Sequence, residues 1–190
     1  MRKGSLIIGV AGSLISIYGV HVGSSWYGGE IGVKYLFAQS MCFAIGSTLL
    51  MVSAYMERLE LFAWLEFISV GSAFLGWTSL PLEVKAGLPA ISAVVVVVVL
   101  WDRAKRTDLF YSPDLDLLWG AVGMIIAVTS YSLRYEELYV MAGLFLGFYA
   151  YRGTKENSAN WIWVVLNVVY IGFAAVSLAL NGYICMYTVF

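Results

Sequence analysis

Apart from Glu66, every charged residue of this chain falls in a short break between seven apolar stretches, at 5–21, 35–56, 61–79, 87–101, 117–133, 138–151 and 161–180. That pattern fits a bundle of membrane helices and little else. With 61% hydrophobic and 12% charged residues, a soluble domain of 190 residues would have too little polar surface to cover itself. Inside a bilayer each backbone N–H and C=O must be bonded within the chain, so even the β-branched run Val94 to Val99 reads as helix. The expected fold is all-α: a polytopic integral membrane protein with seven transmembrane helices in a single domain over 1–190.

A span takes about 20 residues to cross about 30 Å of hydrocarbon. The stretches 87–101 and 138–151 are shorter, so they are expected to borrow flanking residues or thin the bilayer. Pro89 would then sit in a first helical turn, where proline is tolerated.

The breaks alternate in basic content. One set carries Arg2, Lys3, Arg58, Arg103, Lys105, Arg106, Arg152 and Lys155, eight in all, and the opposite set carries only Lys34, Lys85 and Arg134. All the loops are short, which is where positive charge decides orientation, so the N-terminus is expected in the cytoplasm and the C-terminus outside.

A net charge of −1 and the lack of a basic stripe exclude nucleic acid as a partner. No clear small-x-small cleavage site precedes Trp26, so the first apolar stretch reads as a retained helix and not a leader. Cys42 and Cys185 both lie toward the external side, and they read as unpaired packing thiols more readily than as a disulfide, since Cys42 is about 11 Å into the bilayer. The longest cytoplasmic connector, Asp102 to Asp116, contains a turn at Ser112-Pro113-Asp114, and Trp26 and Tyr27 in the external segment 22–34 suit interfacial anchors. His21 is the only histidine and could approach Glu30. Neither HExxH, CxxC, GxSxG nor a phosphate-binding glycine loop occurs, so the chain is read as a non-enzyme without cofactor or metal.

Three pairs of segments suggest an internal repeat. Gly9-Val10-Ala11-Gly12 is matched by Gly120-Ala121-Val122-Gly123 at an offset of 111, and Leu65-Glu66 with Gly71 by Leu166-Asn167 with Gly172 at an offset of 101. Lys34-Tyr35-Leu36 and Glu137-Leu138-Tyr139 open the second and sixth helices alike. Two three-helix units of the same orientation joined by one helix, a 3+1+3 parallel repeat, would give these offsets, and chance similarity of glycine-containing apolar helices is the alternative.

Glu66 is the one ionisable residue within an apolar span, where a carboxylate costs about 2.5–3.5 kcal/mol at the helix centre. It is only about 8 Å from the start of its stretch, so it either reaches the interface near Arg58 or faces the bundle interior. Asn167 lies at a comparable depth in the seventh helix. Trp163, Asn167 and Tyr170, spaced by four and three, share one helical face that could stack a planar ring and hydrogen-bond its edge. The other reading makes Trp161 and Trp163 an interfacial belt and Asn167 a helix-to-helix contact. Gln39 and Ser40 are further polar candidates, and Gly143-Leu144-Phe145-Leu146-Gly147 is a GxxxG suited to close helix packing.

The segment Arg152 to Tyr170, RGTKENSANWIWVVLNVVY, resembles the vitamin B3 precursor transporters of the nicotinamide riboside (PnuC) type. In those a basic loop leads into Glu-Asn-Trp, a second Trp and an Asn four residues later, and Trp163 and Asn167 keep that last spacing. Here Glu156-Asn157 stands three residues apart from Trp161, the Trp pair is one residue closer, and the final helix is reduced to Asn181 to Phe190. The resemblance covers about a tenth of the chain. It implies a three-one-three transporter for an uncharged nucleoside-like vitamin, working by facilitated diffusion, with Trp163 and Asn167 at its site. The expected function is therefore a small-solute transporter or facilitator, with Glu66, Trp163, Asn167, Tyr170 and Gln39 as binding candidates. The alternative is a noncatalytic subunit that buries its faces against membrane-protein partners.

Overall fold

The computed structural model describes residues 2–23, 33–106, 115–133 and 136–187. Among them all regular structure is helical: α1 (Lys3–Gly23), α2 (Val33–Met56), α3 (Glu60–Gly76), α4 (Leu82–Arg106), α5 (Leu115–Leu133), α6 (Glu136–Gly153) and α7 (Asn160–Tyr187). Three of them, α2, α4 and α7, carry windows long and apolar enough to cross a membrane, while α1 and α5 contain shorter apolar segments, Lys3–Gly19 and Asp116–Ser130.

Several boundaries differ from the sequence expectation. The fourth helix has 25 residues, not the fifteen of 87–101, because Glu83 and Lys85 at one end and Asp102 and Arg103 at the other can extend into water while the backbone stays helical. Pro89 therefore lies inside α4, where it removes one rung of the ladder, and the helix starts immediately after Pro81 instead. The third helix stops at Gly76, short of residue 79, in a turn where the Trp77 and Thr78 amides donate to Phe74 and Leu75 carbonyls. Residues from Asn181 to Tyr187 form no separate element but continue α7. The Ser112-Pro113-Asp114 turn, the anchors Trp26 and Tyr27, Glu30, and the Cys185 side chain lie outside the described residues.

α1 and α2 pack through their smallest residues. Ser5, Gly9, Gly12, Ser16 and Gly19, spaced by four and three, lie buried on one face of α1 and meet Cys42, Gly46, Leu50 and Ser53 of α2. A Cβ at Gly46 would fall 2.9 Å from the Gly12 carbonyl oxygen and 3.0 Å from the Ser16 nitrogen, so the two backbones touch. α5 meets α6 where Gly120 accommodates Tyr149 and Gly123 accommodates Leu146. The GxxxG of α6 receives α7, Gly143 facing Ile171 and Gly147 facing the Asn167 Cβ. α2 also packs on α3, α3 on α5, and α7 on α1, with α4 packed only on α3 and α5 among these helices. The core runs from Leu50 and Ala54 through Phe62, Leu65, Met124, Val128 and Leu146 to Trp163 and Leu166.

The α2–α3 and α6–α7 turns are tied together. Arg58 adopts a left-handed φ of 59°, and the Leu59 and Arg58 amides donate to the Ala54 and Tyr55 carbonyls, closing α2 in a Schellman turn despite a cost of about 1–2 kcal/mol for a residue with a Cβ. Glu57 accepts from the Ser5 hydroxyl and, at 2.8 Å, from the Arg2 amide. Asn157 donates to the Glu57 carbonyl at 3.0 Å while its own Oδ1 accepts from the Ala159 amide at 2.9 Å, ahead of α7.

The Ser5 hydroxyl, and next the Arg2 amide, hold the Glu57 carboxyl below its ordinary value of 4.5. The fold therefore favours the charged form, and this contribution is complete above 4.5 and disappears as the pH falls through the lower folded value. In detergent, the stability advantage of the parent over Glu57→Gln is expected to hold from neutral pH to about 4.5 and to shrink as the pH falls further, toward about 3. Thermal midpoints measured across that range check it, and a constant difference contradicts it.

Candidate functional site

α3 and α7 bring their polar residues to a cavity of ≈ 90 Å³ within the bundle, lined also by α2, α5 and α6. Leu65, Glu66 and Ser69 line it from α3, Trp163, Leu166, Asn167 and Tyr170 from α7, Phe43 and Ser47 from α2, and Tyr139 from α6. The spacing that puts Trp163, Asn167 and Tyr170 on one helical face thus puts all three on one wall. Gly143 also lines the cavity and lets α7 approach α6 closely beside it.

Glu66 is 7% exposed and accepts a hydrogen bond from the Ser47 side chain. It does not reach the interface beside Arg58, because the face of α3 that carries it packs inward on α2. Asn167 is 6% exposed, and its amide donates to the Trp163 carbonyl of its own helix at 2.8 Å, not to a neighbouring helix. Among the described residues this engages one amide hydrogen and leaves the second hydrogen and Oδ1 for a ligand. Gln39 is not part of the cavity. It lies eight residues before Ser47 on α2, about 12 Å along the axis, and is only half-buried.

Trp163 is buried at 2% exposure and takes no part in an interfacial belt, unlike Trp161, which is half-exposed edge-on to Tyr151. One face of Trp163 is already covered by Phe62, with ring centroids 4.3 Å apart and planes 9° from parallel. Tyr149 tilts against the same Phe62 at 5.5 Å. A planar solute could therefore meet only the rest of the Trp163 ring.

Beyond this aromatic layer lies a wider polar vestibule of ≈ 440 Å³, at the end where Glu57 ties the turns together. Glu57, Glu60, Asp116 and Glu156 line it together with Arg58, Arg152, Asn157 and Asn160. The four acidic side chains outnumber the two arginines, and the excess is only partly offset where Arg152 pairs with Asp116 at 3.2 Å and Arg103, outside the lining, with Glu60 at 3.7 Å. Vestibule and cavity are about one helical turn apart, from Leu61 to Leu65 on α3 and from Asn160 to Trp163 on α7. The Phe62–Trp163 stack fills that turn.

Sequence reasoning missed Phe62, Ser47 and Tyr139. Phe62 had a usable signal, because it precedes Trp163 by the same 101 residues that separate Glu66 from Asn167. Ser47 and Tyr139 had none, as a lone hydroxyl in an apolar helix marks no facing. Among the described residues no group of three His, Cys, Asp or Glu comes together to hold a metal. The arrangement can hydrogen-bond a small solute through a carboxyl, an amide and hydroxyls, and enclose it with aromatic rings. The chain matches no family model, and no curated protein or solved structure gives a significant match.

Proposed function

We propose that this chain is a seven-span membrane transporter or facilitator for a small solute, built from two three-helix units, α1–α3 and α5–α7, joined by α4. The observation that carries the reading is the cavity between the helices, which has Glu66 on one unit and Asn167 on the other and is separated from a polar vestibule by one aromatic layer.

The repeat draws support from contacts that recur at an offset constant within each helix pair, 111 for α1 and α5 and 96 for α2 and α6, the latter in place of the 103 that separates Lys34 from Glu137. Ser5, Gly9, Gly12, Ser16 and Gly19 are followed 111 residues later by Asp116, Gly120, Gly123, Ala127 and Ser130. Gly9 faces Ser53 and Gly12 faces Leu50, while Gly120 faces Tyr149 and Gly123 faces Leu146, each partner 96 residues further on. α3 packs on α5 as α7 packs on α1. Phe62 and Trp163, equivalent at the offset of 101, stack on each other, as two residues beside a two-fold axis would. Parallel repeats related by an axis along the membrane normal place a solute site at their interface, near the bilayer midplane.

Orientation follows from eight basic residues against three: N-terminus and vestibule cytoplasmic, C-terminus external. Impermeant thiol labelling of intact cells is expected to reach Cys185 and to spare a cysteine placed at Ser112. The reverse pattern overturns the orientation.

The resemblance over Arg152 to Tyr170 nominates nucleoside-like vitamin precursors as solutes to test. A drug-sized ligand occupies about 300 Å³ or more, so a nucleoside enters the ≈ 90 Å³ cavity only when the units move apart. Proteoliposomes containing the purified chain are expected to take up solute from a panel of nicotinamide riboside, nucleosides and small organic ions. Glu66→Gln and Asn167→Leu should remove most of that uptake without lowering expression or detergent stability. No uptake by the parent, or unchanged uptake in both variants, defeats the proposal. Loss of a larger complex in Glu66→Gln would favour the subunit alternative.

A further inference from the structure

The cavity identifies a class of solute as well as a path. Among the described residues that line the cavity, Glu66 is the sole acidic or basic side chain. Around it stand Phe43, Tyr139, Trp163 and Tyr170. A buried carboxylate needs a compensating positive partner, and the Ser47 hydrogen bond supplies a dipole but no charge. Aromatic rings carry a negative face, and several rings around one small space form the kind of cage that recognises alkylated ammonium groups. The vestibule, lined by four acidic side chains and two arginines, biases entry toward cations as well, and the cavity supplies the finer discrimination.

Resting on the transport reading, we propose that the cavity binds a small alkylated ammonium cation, Glu66 countering its charge and the four aromatic side chains enclosing its methyl groups. This departs from the uncharged solute implied by the resemblance, and it excludes anions, which would meet Glu66 without a compensating cation. Asn167 is left to hold a hydroxyl or carbonyl elsewhere on the solute.

The test uses the purified full chain in detergent with choline as the probe and its uncharged carbon isostere, dimethylbutanol, as the control. Isothermal titration is expected to give saturable choline binding at least about tenfold tighter than that of the isostere, with the preference lost in Glu66→Gln. If that variant does not fold, Tyr139→Leu and Tyr170→Leu provide the second arm and should weaken choline more than the isostere. Equal binding of the two probes, no choline binding by a folded parent, or unchanged choline binding in Glu66→Gln overturns the proposal. The transport reading is read separately in proteoliposomes. Choline binding without uptake rejects transport and keeps the cation site, whereas uptake of neutral or anionic solutes that ignores Glu66→Gln rejects the cation site and keeps transport.

Discussion

Gly46→Leu is expected to prevent recovery of a monodisperse protein in detergent. Overpacking an ordinary core costs about 1–3 kcal/mol because side chains can turn aside, and it costs more where they cannot. At Gly46 the added carbon meets backbone, the Gly12 carbonyl oxygen at 2.9 Å and the Ser16 nitrogen at 3.0 Å, so the helices themselves must separate. Separation would also undo the reciprocal contact of Gly12 with the Gly46 oxygen. Gly71→Leu and Gly172→Leu are the controls, since a Cβ there meets nothing within 4 Å. Size-exclusion profiles and thermal midpoints of the three variants decide the matter. Gly46→Leu behaving like Gly172→Leu would mean that α1 and α2 are not packed as described.

Phe62→Ala is expected to open the layer between vestibule and cavity. Its ring fills the turn of α3 between Leu61 and Leu65 and lies flat on Trp163, so truncation leaves a gap joining the two spaces. A cysteine replacing Ser69, which lines the cavity, reports the opening when Cys42 and Cys185 are first changed to alanine. Its reaction with an impermeant thiol reagent from the vestibule side should accelerate roughly tenfold or more, the factor that about 1.4 kcal/mol removed from a barrier produces. Phe→Ala in a core costs about 3–5 kcal/mol, so Phe62→Leu serves as the milder companion, with a smaller acceleration in the same direction. No acceleration in either variant would show that the stack is ordinary packing.

The helices were legible because clusters of charge in the sequence mark their ends. Their exact limits were less so: Glu83, Lys85, Asp102 and Arg103 look like loop residues yet belong to α4, since a long or end-placed charged side chain can extend to water from a helical backbone. Glu66 could be located in depth but not in direction. Depth follows from counting along one helix, whereas facing depends on Ser47 of another helix, which the sequence does not connect to it. The same gap misplaced Gln39, whose polarity says nothing of which neighbour it meets. Trp163 was found through Asn167 and Tyr170, four and three residues apart, yet the ring that covers it, Phe62, lies on a different helix. The stripe from Ser5 to Gly19 was present in the sequence at regular spacing, but its meaning depends on the matching small residues of α2.

On the proposed transport reading, solute crosses between the two three-helix units by way of the cavity that Glu66 and Asn167 share. The measurement that tests it most directly is modification of a cysteine at Ser69 by a small impermeant reagent added to either side of the membrane, with Phe62 and Trp163 intact. Reaction is expected from both sides at unequal rates, slowed by a transported solute, while a surface thiol at Ser158 is indifferent to that solute. Reaction from one side alone, or none while Ser158→Cys labels normally, would contradict it.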